Sequence, residues 1–308
     1  MIHLRHILIH AQKLIVHSLR TGSGVAFIFL TILIGLSLAN LSITPVELGF
    51  STAEEFRESA SKAIGVALAT ATLRLGNDDD GPPGEGDVFS RMESGDLIDL
   101  GMWARYLVLE NPMLLSITVL LLGLVLPLLL PLGSFTAISS DVQHRTVRYL
   151  LPRTSRISML LGRWLGTLLL SWILILLLLT SVVVYLSIML PPEATESMVP
   201  WAGSCLLALC CLAIPYVSLG ILCSATFRVP LVALLAAVGA TVGTPLLALS
   251  LQEAWAPLGN LLYLMPWGYS HELLSPDGDK VFTAVIYSLG HSLLFMTLAA
   301  WKFRRADL

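Results

Sequence analysis

Long apolar runs alternate with shorter polar segments along most of the chain. Six of these runs are long enough to cross the roughly 30 Å hydrocarbon layer of a bilayer, which takes about 20 residues in a helix. The predicted spans are Val25–Ile43, Met113–Ser139, Gly162–Leu190, Val199–Ser224, Leu231–Leu251 and Val281–Trp301. The pattern therefore predicts an all-α polytopic membrane protein with six transmembrane helices.

Residues 1–24, before the first span, have polar and apolar positions that repeat at helical spacing. Basic side chains recur every three or four residues and so share one stripe of a helix. These are His3, His6, His10, Lys13, His17 and Arg20. We expect an interfacial amphipathic helix whose basic stripe faces water or anionic headgroups. Neighbouring imidazoles also bind metals or titrate near neutral pH, although no carboxylate or thiol completes a ligand set here.

The longest polar stretch, residues 44–112, separates the first two predicted spans. Ser51–Glu54 has capping-box spacing and precedes an Ala-rich stretch. Asn77–Asp87 then contains a cluster of Gly and Pro, which break helices. We expect a helical hairpin that projects outside the membrane, and residues 51–110 are a candidate surface for an extracytoplasmic partner. The aspartates of the turn lack the spacing of an EF-hand calcium loop.

Two further polar segments lie between the later spans. In residues 140–161, basic and apolar residues alternate. This is typical of a helix that lies on the membrane or of one that inserts into the groove of a soluble partner. Residues 252–280 contain Pro257, Pro266 and Pro276. We expect a broken segment that re-enters the membrane and closes a cavity from outside.

Charge is distributed unequally between the two ends of the predicted bundle. Six spans place both termini on one side, which holds 12 of the 18 Lys and Arg residues and two of the 21 acidic ones. Short cytoplasmic loops retain Lys and Arg. We therefore expect both termini, including a short tail at residues 302–308, in the cytoplasm. Trp201, Trp255 and Trp267 fall near the other boundary, as expected for an aromatic belt.

Composition agrees with a membrane protein. The chain is 56% hydrophobic and 13% charged, and its mean hydropathy is +0.81. A soluble domain carries about 25% charged residues. A soluble protein would also have to bury apolar runs as long as Leu114–Leu132 in one core, so we expect the lipid bilayer to surround this chain.

Residues that commonly form catalytic or metal sites are scarce. Cys205, Cys210, Cys211 and Cys223 all fall in the fourth span, without CxxC spacing or a neighbouring His. We interpret them as small packing residues and predict no metal site. The sequence has no G-x-x-x-x-G-K-S/T phosphate loop, no H-E-x-x-H and no G-x-S-x-G. We predict no catalytic residues in this chain and no bound cofactor.

Polar and small residues inside the spans are the other candidates. Apart from Arg163 at the end of the third span, the spans contain one Asp, Glu, Lys, Arg or His residue, which is His291, near Ser288 and Ser292. A single interhelical hydrogen bond is favoured over a polar pathway for this histidine. Gly239 and Gly243 form a G-x-x-x-G pair, which permits close helix contact within or between chains. The prolines within spans free backbone carbonyls and bend their helices. They are Pro127, Pro131, Pro215 and Pro245.

The inner segment carries a family resemblance. It contains Asp141-Val-Gln-His-Arg-Thr146, Leu150-Leu-Pro152, Ser155-Arg156 and Leu161-Gly162-Arg163. This order resembles the cytoplasmic signature of type-2 ABC exporter permeases, in which an acidic residue precedes Gly-Thr, followed by Leu-Leu, Pro, Ser-Arg and Gly-Lys. Arg145 replaces the usual Gly, which affects the docking turn, and Arg163 replaces the usual Lys with its charge kept.

The resemblance extends over nearly the whole chain. Phe303-Arg-Arg-Ala-Asp-Leu308 is similar to the Arg-Arg-Asp-Leu ending of the family. The amphipathic helix, six spans and broken outer segment follow in the same order. The long hairpin at residues 44–112 is similar to that of permeases in copper-processing systems that mature nitrous-oxide reductase, and of some lipid and peptide exporters.

The resemblance implies a multi-pass permease of a bacterial cytoplasmic (inner) membrane. It implies a second permease subunit, expected to be identical, and two separate ABC ATPase subunits that bind ATP and magnesium. No nucleic acid is implied. The candidate ATPase-docking residues follow the signature, with arginines as charged contacts and the two leucines as anchors. They are Asp141, Arg145, Thr146, Arg148, Leu150, Leu151, Pro152, Arg153, Ser155 and Arg156.

The expected activity is ATP-driven export of a lipid-like or otherwise amphiphilic substrate, or service to a periplasmic maturation partner. The Leu-rich spans favour an amphiphile over a hydrophilic solute. The alternative is a non-transporting membrane scaffold or mechanotransmitter, which relays ATPase motion through the hairpin to an extracytoplasmic partner. The sequence does not separate these two.

Overall fold

The structure is a computed structural model that describes residues 4–20, 22–47, 103, 106–143, 155–189, 198–251 and 265–305. These residues are almost entirely helical and contain no strand, which confirms the all-α class. The α-helices are α1 (Leu4–Arg20), α2 (Gly22–Glu47), α3 (Met113–Ser134), α4 (Thr136–Gln143), α5 (Arg156–Met189), α6 (Met198–Thr226), α7 (Pro230–Leu251) and α8 (Gly278–Arg305). A π-helical turn, Tyr106–Glu110, precedes α3.

Five helices are long and apolar enough to cross a membrane. They are Met113–Gln143, which combines α3 and α4, then α5, α6, Pro230–Ala248 of α7, and α8. These five coincide with the second to sixth predicted spans, and their length and apolar composition support a multi-pass membrane protein. The first predicted span falls within α2, where Ile28–Asn40 is a shorter apolar helix. Of the predicted hairpin at residues 44–112, the structure describes residues 44–47 at the end of α2, Trp103 and residues 106–112. The rest lies outside the described residues.

α5 begins earlier than the predicted third span because Ser155 caps its N-terminus. The Ser155 hydroxyl accepts a hydrogen bond from the Ser158 N–H at 3.1 Å and lies 2.7 Å from the Ser158 hydroxyl. This satisfies one of the first-turn N–H groups that have no intrahelical partner. Of the predicted inner segment, residues 140–143 belong to α4 and 156–161 to α5; residues 144–154 lie outside the described residues.

α3 and α4 are separated by a break at Phe135. The Ser224 hydroxyl of α6 accepts hydrogen bonds from the N–H groups of Ile138 and Ser139 at 2.9 and 3.0 Å. It also donates to the Phe135 carbonyl at 2.8 Å. N–H groups in the first turn of a helix need partners from outside the helix. The hydroxyl of Ser224 therefore stabilises the bend between α3 and α4 and ties it to α6.

α6 is the central helix, and it packs against α3, α5, α7 and α8. Its side chains Cys205, Leu209, Ala213, Tyr216 and Val217 form much of the main core. α7 and α8 are the least buried of the five spanning helices. All four cysteines of α6 are free. Two of them are buried in the core, in line with a packing role.

α1 packs along α5. Its buried face consists of Ile7, His10, Ala11 and Leu14, and His10 is only 6% exposed. The pattern places His10 in the stripe that faces water or headgroups, and that expectation is wrong. Leu4 of the same helix, in contrast, is 72% exposed. The face of α1 that packs on α5 is therefore not the face that hydrophobicity alone would select.

Two glycines of α5 explain this orientation. A Cβ at Gly162 would lie 2.6 Å from His10 Cβ and 2.8 Å from the Ile7 carbonyl oxygen, and one at Gly166 would lie 2.9 Å from Ala11 Cα. Real Cβ atoms do not approach so closely, so only glycine permits the backbones of α1 and α5 to pack here. Gly162 and Gly166 thus form a G-x-x-x-G notch that seats α1.

The segment between α7 and α8 re-enters the bundle. It contains two 3₁₀ helices, Pro266–Tyr269 and His271–Leu274. The Trp267 Nε1 donates to the Thr241 carbonyl at 2.8 Å, near the middle of α7. Met265 joins a core cluster with Ala233. The described residues 265–274 thus pack against the bundle. The predicted re-entry into the membrane and the predicted placement of Trp267 at a membrane boundary stay predictions.

Candidate functional site

One end of the bundle carries most of the described basic residues, and we call it the basic end. It comprises α1, α4, the start of α5, the turn between α6 and α7, and the end of α8. Its described Lys and Arg residues are Arg5, Lys13, Arg20, Arg156, Arg163, Arg228, Lys302, Arg304 and Arg305. Asp141 is an acidic residue at the same end. At the opposite end, Glu110, Glu272, Asp277 and Asp279 accompany Lys280.

Asp141 and Arg163 form an ion pair at the base of the inner segment. The Arg163 Nη2 lies 2.5 Å from the Asp141 Oδ2, and each side chain is 18% exposed. Asp141 precedes residues 144–154 on α4, and Arg163 follows them on α5. The pair therefore holds together the two helices between which this segment runs. Partial burial strengthens such a pair relative to one in open water.

His10 lies beside this pair. Burial lowers the pKa of its imidazole below the ordinary value, and the nearby Arg163 lowers it further. Lys13 and His6 act in the same direction, while Asp141 opposes them. At neutral pH the neutral imidazole is favoured. A charged His10 would face a cationic guanidinium within a partly buried contact.

Arg156 links the start of α5 to the end of α8. Its Nη1 donates to the Phe303 carbonyl at 3.1 Å and to the Arg304 carbonyl at 3.0 Å. The last carbonyls of a helix lack intrahelical donors and carry partial negative charge, so a guanidinium suits them. Phe303 is buried in a cluster with Ile138 and Met159. The basic end is thus braced from three sides: by α1, α4 and α8.

The structure places three of the predicted docking residues. Asp141 and Arg156 make the contacts above, and Ser155 is the exposed N-cap of α5. The other seven lie outside the described residues. They are Arg145, Thr146, Arg148, Leu150, Leu151, Pro152 and Arg153. The docking role of all ten stays a prediction.

A line of hydroxyl groups connects α6 with its neighbours in the interior. Ser218 and Ser292 are hydrogen bonded at 2.6 Å, and the Trp164 Nε1 donates to Ser218 at 2.9 Å. The Ser288 hydroxyl donates to the Cys211 carbonyl at 2.7 Å. Ser288 and Ser292 are buried against α6. These polar groups are therefore used in helix packing.

His291 lies apart from this line. Its Nδ1 is 2.9 Å from the Tyr287 carbonyl oxygen within α8 and 3.4 Å from the Tyr269 hydroxyl of the re-entrant segment. The imidazole also lies beside the rings of Tyr269 and Phe295. The structure brings His291 to the segment between α7 and α8. The single interhelical hydrogen bond predicted for His291 stays a prediction.

Gly239 and Gly243 have no neighbour within 4 Å of an added Cβ. The close helix contact that the G-x-x-x-G pattern permits is not made here within the described part of the chain. It is made at Gly162 and Gly166, whose identical spacing is visible in the sequence. Nothing in the spacing itself distinguishes the two pairs.

Prolines explain two of the interior hydrogen bonds. Pro215 has no N–H, so the carbonyl of Cys211, four residues earlier, loses its helical donor. Ser288 supplies the replacement. In α7, Pro245 frees the Thr241 carbonyl in the same way, and Trp267 supplies the donor. The sequence predicts the free carbonyls but not the side chains that satisfy them.

The fold and the basic end define the class as a multi-pass α-helical membrane protein. No family model matches the chain. No curated protein matches it either.

Proposed function

We propose that the chain is the transmembrane permease subunit of an ATP-driven exporter of the type-2 ABC class. The observation that carries this proposal is the Asp141–Arg163 pair, which closes the base of the segment with the family-like signature. In this proposal α2 is the first of six spans, and the basic end faces the cytoplasm of a bacterial inner membrane, as the distribution of Lys and Arg favours.

Two ABC ATPase subunits would bind residues 144–154 and carry the ATP and magnesium. The braced arrangement of α1, α4, α5 and α8 supports this role, since motion at the segment would pass into α5 through Arg163 and into α8 through Arg156. A rigid base of this kind transmits displacement to whole helices. The chain would then contribute no catalytic group of its own.

A second, identical permease subunit would pack against the outward faces of α7 or α8. These helices are the least buried, and Gly239 and Gly243 leave open space on α7. The substrate would be a lipid-like amphiphile, because the described interior hydroxyls are engaged in packing and the exposed faces are apolar. Residues 51–110 would take a periplasmic partner.

The test is purification of the tagged chain from its native membranes in mild detergent, with identification of bound proteins by mass spectrometry and an ATP hydrolysis assay. We expect a stoichiometric soluble ATPase. The variant Leu150→Asp/Leu151→Asp should lose it. The control Lys302→Asp/Arg305→Asp, which changes charge elsewhere at the basic end, should retain it. Recovery of the wild-type chain without any ATPase, even after crosslinking, would refute the proposal.

The second candidate is a mechanotransmitter that relays ATPase motion to an extracytoplasmic partner without transport. The same complex reconstituted in vesicles separates the two. Removal of Asn77–Asp87 would abolish relay to the partner but leave ATP-dependent movement of an amphiphile intact if the chain is an exporter. Absence of any ATP-dependent movement in the wild-type complex, with partner binding intact, would favour the relay.

A further inference from the structure

The residues just before α3 pack onto the end of the bundle opposite the basic end. They are Trp103 and the π-helical turn Tyr106–Glu110, and we call them the cap. The Asn111 Nδ2 donates to the Tyr106 carbonyl at 3.0 Å and so closes the turn on its own backbone. Single π-helical turns are rare and are frequent at functional sites. The cap is therefore an ordered element with a conformation of its own.

Aromatic rings connect the cap to α6 and to the segment between α7 and α8. The Trp103 ring meets the His271 ring edge to face, with the centroids 6.2 Å apart and the planes at 90°. The Tyr106 ring meets the Trp201 ring, at the start of α6, in a similar way at 5.6 Å and 85°. Such aromatic pairs stabilise a contact beyond the area that they bury. The cap therefore bridges two elements that are far apart in the chain.

The buried side chains of the cap belong to the main core. Leu107 is fully buried, and Trp103 is 5% exposed. Both lie in the same cluster as Leu273 of the second 3₁₀ helix and Ala284 of α8. Connecting segments usually run over the surface. Here the core continues into the segment that precedes α3, and the cap closes the core at this end.

The two tryptophans in these contacts differ in their hydrogen bonds. The Trp201 Nε1 donates to the Ser116 hydroxyl at 3.0 Å, which fixes α6 to α3. The Trp103 Nε1 is buried and has no hydrogen-bond partner among the described residues. A buried donor without a partner costs free energy that exposure to water recovers. Of the two ring contacts, the one between Trp103 and His271 is therefore the easier to open.

We propose that the cap is a latch that closes the bundle at the end opposite the basic end, and that separation of Trp103 from His271 opens it. The contacts that form the latch lie within this chain and do not depend on an ATPase. Its use as a gate rests on the proposed export function, since an exporter has to open this end to release its substrate. The cap also lies within residues 51–110, so a partner bound there would act on the latch directly.

The test measures how fast a buried position in the same core cluster reacts with a water-soluble thiol reagent. Ala284→Cys places a thiol at a fully buried position of α8. The full chain in nanodiscs is treated with a charged maleimide, and modified peptides are quantified by mass spectrometry. We expect slow labelling of residue 284, and Trp103→Ala in this background should speed it about tenfold through local opening. Trp103→Phe keeps a ring against His271 and should retain the slow rate.

Two controls separate opening of the latch from loosening of the whole bundle. Native Cys223 is buried near the basic end of α6 and is followed in the same digest. Its labelling should not change in Trp103→Ala. Trp301→Ala removes the same type of side chain from α8 at the basic end, where its ring lies beside Arg305. This variant should leave residue 284 at its slow rate.

An unchanged rate at residue 284 in Trp103→Ala would overturn the latch. Equal acceleration at Cys223, or the same acceleration by Trp301→Ala, would overturn it as well, because the whole bundle would then have loosened. If Trp103→Ala does not fold, His271→Ala removes the other ring of the pair and should give the same increase. No ATPase is present in this experiment, so its result is independent of whether the chain binds one.

Discussion

The Ser288 hydroxyl of α8 donates to the Cys211 carbonyl of α6 at 2.7 Å, and Pro215 is the reason that this carbonyl is open. A proline within a helix removes the donor for the residue four positions earlier. In the bilayer no water replaces that donor, so a neighbouring side chain has to. Trp267 does the same for Thr241 opposite Pro245. These bonds tie α8 and the segment between α7 and α8 to the two proline-containing helices, α6 and α7.

This arrangement predicts that the effect of Ser288→Ala depends on Pro215. In the wild-type background the substitution leaves the Cys211 carbonyl without a donor, which costs about 1–2 kcal/mol. In a Pro215→Ala background the restored N–H of residue 215 satisfies the carbonyl. Ser288→Ala should then cost less than half as much. Thermal unfolding of the four proteins in detergent gives the coupling.

The equivalent cycle of Trp267→Phe with Pro245→Ala should behave in the same way in α7. Ser250→Ala is a control for either cycle, since its hydroxyl is exposed and makes a long bond of 3.4 Å within its own helix. Additive effects of Ser288→Ala and Pro215→Ala would show that the hydroxyl does not compensate for the proline.

The notch on α5 predicts opposite outcomes for two glycine pairs. Gly166→Val should lower stability by about 1–3 kcal/mol, because its side chain would overlap the α1 backbone at Ala11. It should also speed tryptic cleavage after Lys13 by releasing α1. Gly243→Val introduces the same side chain where nothing lies within 4 Å. It should leave both readouts unchanged in the detergent-purified monomer.

If Gly166→Val leaves cleavage after Lys13 at the wild-type rate, α1 is not held by the notch. If Gly243→Val alters the stability of a dimer but not of the monomer, the open face of α7 is the contact between copies. Both variants replace a helical glycine with valine. The difference between them therefore separates the loss of packing from the general cost of a β-branched residue in a helix.

These contrasts show which parts of the structure the sequence predicts. Apolar runs of about 20 residues locate helices because the bilayer thickness sets their length. Five spanning helices follow from that rule. Ser155 begins α5 six residues before the predicted span, because capping is a local polar contact that a hydropathy pattern does not include. The burial of His10 depends on Gly162 of another helix, so no property of α1 alone reveals it.

For the candidate site, too, the sequence predicts which residues matter but not the contacts between them. The family-like signature selects Asp141 and Arg163, but their mutual ion pair is a tertiary contact between α4 and α5. The G-x-x-x-G pattern occurs twice in the chain, and only the position of α1 decides which copy is used. Trp267 is predicted at a membrane boundary because tryptophan is common there. Its bond to the Thr241 carbonyl, which Pro245 leaves free, is a tertiary contact that this rule does not include.

Acidification should weaken the contact between α1 and α5 through His10. The folded-state pKa of this imidazole lies below its unfolded value of about 6.5, because of burial and Arg163. The neutral form therefore stabilises the fold above about pH 6.5, and this contribution is lost as the pH falls below that value. Between about pH 7.5 and pH 5.5 the melting temperature of the wild type should fall more than that of His10→Gln.

His271 has a lowered pKa as well, from burial and from Lys280. It remains in both proteins, so the difference between wild type and His10→Gln isolates His10. His6→Gln is a further control, since His6 is less buried in the same helix. Parallel pH profiles for the wild type and His10→Gln would contradict the assignment.

The Asp141–Arg163 pair should be more sensitive to loss of one partner than to loss of both. Asp141→Asn leaves a partly buried guanidinium without its carboxylate, and we expect a cost of about 2 kcal/mol, between the values for exposed and fully buried pairs. Asp141→Asn/Arg163→Gln removes both charges and should recover at least half of that cost. Asp279→Asn, at an exposed position at the opposite end, should change stability little. Denaturation at two salt concentrations measures these four proteins and the single variant Arg163→Gln. The wild-type advantage should persist at high salt because the pair is largely shielded from solvent. A double variant as unstable as the sum of the single variants would mean that the two residues act independently, and the inner segment would then lack the closed base proposed for it.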